Sequence, residues 1–134
     1  MTNEEQLFWK FGKEYKKGTV LFHEGDLGKE MFIIQKGKVQ VRKKVGNTQK
    51  VLAELGDGEF FGEMALLMDM DRSATVEVME NSKILVVGPD TFESLLKSNM
   101  QIAIKMLRKM AERLRALDEK LEVVLLGLKK ESEG

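Results

Sequence analysis

The 134-residue sequence has no cysteine, one histidine and one proline. Without cysteine there is no disulfide, no thiolate zinc site, no iron–sulfur cluster and no cysteine nucleophile. A single histidine, His23, excludes a multi-histidine metal centre, and it reads as a strand-end residue. Charge of one sign is also missing: 22 Lys and Arg balance 22 Asp and Glu. That argues against a broadly basic surface for nucleic acid, although a local patch can sit inside a neutral total. No apolar run reaches the ~20 residues that span a membrane. The opening residues MTNEEQLFWKFGK carry no signal-peptide core. These absences point to the cytoplasm, to no membrane partner, and to no metal or other cofactor. A β-barrel enzyme of the metal-cupin kind lacks its ligands here, and no nucleophile–base pair is visible. The chain is therefore not expected to be an enzyme.

What is present fits one soluble domain spanning 1–134, since domains commonly run about 100–150 residues. Nine of the 12 glycines fall between Gly12 and Gly62, among short apolar runs. Such texture predicts turns and strands. Residues 2–16 read as a short amphipathic helix, capped by Thr2 or Asn3, with Leu7, Phe8, Phe11 and Tyr15 on one face. Strands are expected at 19–22, 31–35, 38–43 and 48–55, with a hairpin turning at Gly46-Asn47. A second hairpin is expected from 75–79 and 83–88 around Glu80-Asn81-Ser82. Residues 18–88 then form a β-sandwich or barrel. After Pro89 the texture becomes helical, with a short helix to about residue 97 and a long one capped by Ser98 or Asn99. On the long helix, apolar residues recur at 103, 107, 110, 114, 117, 121, 124 and 128, which are alternating steps of four and three. This heptad seam fits either a helix packed on its own barrel or a parallel helix pair across a two-fold axis. At 1.5 Å per residue the helix is about 45 Å long, more than a barrel of this size covers, which favours the pair.

One segment carries chemistry. Residues 58–76 offer glycines, a short helix start with free amides, a carboxylate at Glu63, and Arg72-Ser73 just before a strand. Helix N-termini attract anions, and arginine is a forked, permanently charged donor suited to phosphate. Glu63 suits a sugar hydroxyl. Residue types alone leave two readings open: a site for a small ligand with one phosphate and one free ribose hydroxyl, or a surface turn with an Arg–Glu ion pair.

The run Phe61-Gly62-Glu63-Met64-Ala65-Leu66-Leu67, followed by Arg72-Ser73-Ala74-Thr75-Val76, resembles the phosphate-binding cassette of the cyclic nucleotide-binding domain. That family includes the bacterial catabolite activator and the regulatory subunits of cyclic-AMP-dependent kinase. Gly18-Thr19-Val20-Leu21-Phe22-His23-Glu24-Gly25-Asp26 is similar to its early strand and turn, and 31–39 is similar to its glycine hairpin. The resemblance implies a mainly β fold, a jelly-roll barrel with flanking helices and a long C-terminal dimerisation helix.

It also implies roles residue by residue. Arg72 neutralises the cyclic phosphate and Ser73 adds a hydroxyl contact. Glu63 holds the ribose 2′-hydroxyl, Gly62 permits close backbone approach, and amides at Met64 and Ala65 face ligand oxygens. Val41, Ala53 and Leu55 line the base, and Arg113, Leu114, Leu117 and Asp118 on the last helix cover it. Bacterial activators have hydroxyl residues where this chain has Leu117 and Asp118. Asp118 suits the adenine amino group, the guanine N1 and N2 donors, or no ligand role at all. The serine after the arginine favours cyclic AMP, with cyclic GMP as the alternative. A fold that has lost its ligand and serves a structural partner is a further alternative. Few residues follow the long helix, too few for a helix-turn-helix, so a stand-alone sensor with a protein effector and no DNA partner is expected.

Overall fold

A computed structural model describes Gln6, Lys10 and residues 12–133. The chain divides into two compact units, Met1–Glu93 and Ser94–Gly134.

The first unit is built on antiparallel pairing. Its strands are β1 (Gly12–Tyr15), β2 (Val20–Phe22), β3 (Met31–Val45), β4 (Thr48–Leu55), β5 (Phe60–Phe61) and β6 (Thr75–Val87), with helix α1 (Glu63–Met68) before β6. The hydrogen-bonded order is β1-β6-β3-β4, with β2 also on β6 and β5 also on β3. β3 and β6 are the spine, paired from Met31 opposite Val87 to Arg42 opposite Thr75. Both bury apolar side chains, Met31, Ile34 and Val39 from β3 and Val76, Val78, Ile84 and Val87 from β6, of which Ile34, Val39, Val76, Val78 and Ile84 form one core cluster. Phe22, Phe32 and Phe61 join that core. Phe32 and Phe61 stack with ring centroids 5.0 Å apart, and Phe22 tilts against both. The fold class is mainly β with helices, as the sequence indicates.

Three local expectations need correcting. Residues 75–88 do not form a second hairpin, because 75–87 is one strand whose two halves both pair with β3. Likewise 31–39 contains no glycine hairpin, because β3 runs straight through Gly37. The cause is a pair of facing irregularities, where the register shifts between Ile34 and Val39 against the 80–83 stretch. Gly37 takes a φ of 132°, and a Cβ there would overlap Ser82. The Ser82 hydroxyl donates to the Glu80 carbonyl and accepts from the Lys38 N–H. The turn-forming residues thus bend two continuous strands together and end neither. The hairpin at Gly46-Asn47 is present, with Val45 opposite Thr48 and Gly46 at a φ of 62°.

The third correction is at the N-terminus. Gln6 and Lys10 are helical, but Gly12–Tyr15 is strand β1, paired with β6 from Leu85 to Ser82. Tyr15 packs against the core cluster, and burial raises its hydroxyl pKa. An available edge of β6 outweighs helical spacing in that stretch. The expected caps Thr2 and Asn3 and the face residues Leu7, Phe8 and Phe11 lie outside the described residues.

Helix α2 (Pro89–Ser98) follows β6, and α3 (Met100–Glu133) makes up most of the second unit. Asn99 caps α3, its Oδ1 accepting from the Gln101 N–H at 3.1 Å. Along α3, Leu107, Leu114, Leu117, Leu121, Val124 and Leu128 are all more than half exposed. Among the described residues, no helix is long and apolar enough to cross a membrane.

Candidate anion site around Arg72

The segment between α1 and β6 is held by backbone pairing to the turn after β2. The Gly25 N–H donates to the Arg72 carbonyl at 2.8 Å, and the Arg72 N–H donates to the Asp26 carbonyl at 2.9 Å. The turn closes on itself as Asp26 accepts from the His23 N–H. The Glu24 N–H reaches the Thr75 hydroxyl. Arg72 therefore leaves a fixed backbone, and its side chain points inward.

The guanidinium is buried, with only 4% of the side chain exposed. Its Cζ lies 4.2 Å from the Phe22 ring centroid and 5.7 Å from that of Phe32, so aromatic faces form the floor. Two glycines form the walls. A Cβ on Gly28 would stand 2.6 Å from Arg72 Nη2, and one on Gly62 would stand 3.0 Å from Nη1. Nη1 donates to the Glu30 carbonyl at 2.8 Å, and Nη2 approaches the Glu30 carboxylate at 3.4 Å. Nε is buried and has no hydrogen-bond partner. Burial lowers the guanidinium pKa, and the charges of Glu30 and Asp26 oppose that shift. A buried cation with an unused donor is a costly arrangement unless an anion completes it.

The expected site residues fall in three groups. Gly62 and Arg72 come together directly. Gly62 precedes α1 at a φ of 80°, with half-buried Glu63, exposed Met64 and buried Ala65 opening the helix and Ser73 exposed beyond Arg72. The base-lining candidates sit on the β3–β4 ladder, where Val41 faces Ala53 and Val39 faces Leu55. Val41 and Leu55 pack on the core cluster that holds Phe22 and Phe32, while Ala53 is exposed. Arg113, Leu114, Leu117 and Asp118 lie on α3 in the second unit. Among the described residues, no group of three His, Asp or Glu side chains is placed to hold a metal.

Four residues of this site escape a reading of the sequence: Phe22, Gly28, Glu30 and Phe32. The one available signal is the pair Gly25 and Gly28 in a single turn, which suggests a close approach without saying to what. The alternative of a surface turn with an Arg–Glu ion pair is half present. Arg72 does pair with a glutamate, but with Glu30, and the arginine is buried.

Residues 12–99 match the family model described as the cyclic nucleotide-binding domain. The cyclic AMP receptor protein of Thermus thermophilus is 33% identical over 111 residues, covering 82% of this chain and 51% of that protein. A cAMP-dependent protein kinase regulatory subunit of Candida albicans is 37% identical over 83 residues, covering 61% of this chain and 17% of that protein. The chain thus spans about half of the first relative and under a fifth of the second. A crystal structure of the Thermus thermophilus catabolite activator protein superposes with a TM-score of 0.78 at 30% identity, covering 92% of this chain and 60% of that one. A structure from work on a cyclic-GMP-dependent signalling pathway in bacterial phytopathogenesis gives a TM-score of 0.67 at 32% identity, covering 87% and 95%.

Proposed function

This chain belongs to the cyclic nucleotide-binding domain family, and from that premise we propose that it is a sensor that binds cyclic AMP and reports to a protein partner. The observation that carries the reading is the buried Arg72 guanidinium with its unused Nε donor, walled by Gly28 and Gly62. A cyclic phosphate supplies the missing acceptor and the compensating charge. In this reading Ser73 adds a hydroxyl to the phosphate. Glu63 accepts from the ribose 2′-hydroxyl, and the amides of Met64 and Ala65 face ligand oxygens. Val41, Ala53 and Leu55 meet the base, and Arg113, Leu114, Leu117 and Asp118 cover it. The nucleotide is a ligand; the reading calls for no catalysis, no metal and no cofactor.

The apolar positions of α3 support a second part of the proposal, a homodimer through parallel copies of that helix. Leu107, Leu114, Leu121 and Leu128 are spaced by seven, with Met110, Leu117 and Val124 between them. On that heptad Arg113 and Asp118 take flanking positions five residues apart, so a parallel in-register pair sets them opposite each other with opposite charge. A ligand favours whichever dimer arrangement binds it more tightly, by linkage. In this reading the effector is a protein partner in the cytoplasm.

Cyclic GMP is the alternative ligand, since the Asp118 carboxylate suits the N1 and N2 donors of guanine as well as it suits the adenine amino group. Calorimetric titration with cyclic AMP and cyclic GMP side by side separates the two. Sedimentation with and without each nucleotide tests the dimer. Tighter binding of cyclic AMP is expected; tighter binding of cyclic GMP reverses the choice of base, and binding of neither overturns the sensor reading.

A further inference from the structure

Arginine alone selects the wrong phosphate. A cyclic nucleotide carries a phosphodiester with a single negative charge. The open 5′-nucleotide carries a phosphomonoester with a second ionisation near pH 6, so its charge approaches −2 at neutral pH. An isolated cation attracts the more highly charged ligand more strongly. A sensor that relies on Arg72 therefore needs a counterweight to avoid reading the hydrolysed nucleotide.

The site contains one. Glu30 shares the recess with Arg72, and while the arginine side chain is 4% exposed, the glutamate side chain is 50% exposed. Its carboxylate is anchored on the turn, accepting from the Lys29 N–H at 3.3 Å and lying 3.4 Å from Arg72 Nη2. Asp26 adds a second carboxylate acting on the same guanidinium. Lys29 does not cancel them, because its ammonium pairs with Asp69 at 3.5 Å. Glu63 brings a further carboxylate at the start of α1. One buried cation thus faces two carboxylates on the β2–β3 turn, Glu30 and Asp26.

We propose that Glu30 is a specificity-determining residue that screens phosphates by charge, admitting the singly charged phosphodiester and repelling the doubly charged phosphomonoester. The inference rests on the reading of Arg72 as the phosphate residue. The monoanion gains the contact with Nε and tolerates Glu30, whereas the dianion meets about twice the repulsion from the same carboxylate. Selection for the ring thereby becomes selection by charge as well as by shape.

Glu30→Gln keeps the size of the side chain and removes its charge, and Glu30→Ala removes the carboxylate altogether. Affinities of wild type and both variants are measured by competition for cyclic AMP, for 5′-AMP, and for the methyl phosphodiester of 5′-AMP, which is open but singly charged. In both variants 5′-AMP is expected to gain on the order of tenfold relative to cyclic AMP. The methyl ester is expected to follow cyclic AMP, and higher salt to narrow the effect. Equal changes for cyclic AMP and 5′-AMP overturn the proposal, as does a methyl ester that follows 5′-AMP. Weakening of all three ligands alike also overturns it, since Glu30 then only holds Arg72 in place. A wild-type protein that binds no cyclic nucleotide overturns both this inference and the sensor reading. Normal cyclic AMP binding without the shift in ratio overturns this inference alone.

Discussion

Arg72 shows why a residue's chemistry depends on its walls. Its guanidinium is in reach of an anion only because Gly28 and Gly62 have no side chain to occupy the same space. Gly28 is not at positive φ, so alanine fits its backbone and fails on contact alone. Gly28→Ala is expected to displace the guanidinium and weaken cyclic nucleotide binding by about tenfold, or ~1.4 kcal/mol. Gly88→Ala is the matched control, because a Cβ there meets nothing within 4 Å. Calorimetry on the two variants checks this, and equal affinities would show that the glycine wall has no part in binding. The sequence announces Arg72, Ser73, Gly62 and Glu63 through one contiguous motif. It conceals Glu30 and the phenylalanine floor, because Glu30 is 42 residues from Arg72 and only the β2–β3 turn brings them together.

At the scale of elements, regular spacing was legible and long-range pairing was not. The hairpin at Gly46-Asn47 follows from local turn chemistry, as does the Asn99 cap of α3. The irregularity at Gly37 and Ser82 has the same local signature as a turn, yet each strand continues because the other lies beside it. Similarly, 12–15 has helical spacing but pairs with β6. The heptad of α3 is the opposite case, a local pattern from which the helix follows directly. Six of its seam residues from Leu107 to Leu128 are more than half exposed in the single chain. Leu117→Glu places like charges across a parallel pair at the centre of the seam. It is expected to shift the protein from dimer to monomer in sedimentation equilibrium while the far-ultraviolet dichroism stays helical and β-rich. A dimer that survives would move the interface away from this helix.

For the molecule as a whole, the zero net charge of the opening composition conceals a strongly polarised centre. A buried cation, Arg72, sits among glycines, aromatic rings and the carboxylates of one turn. The family places that centre in the cyclic nucleotide-binding domain, and the proposed dimer gives its occupancy a way to be transmitted. The most direct test of the account is calorimetric titration of cyclic AMP into the wild-type protein and into Arg72→Ala, with the fold of each checked by dichroism. The account predicts saturable binding to the wild type and loss of most of that affinity, about a hundredfold or more, when this charge-assisted partner is removed. Unchanged affinity in a folded Arg72→Ala protein would contradict it.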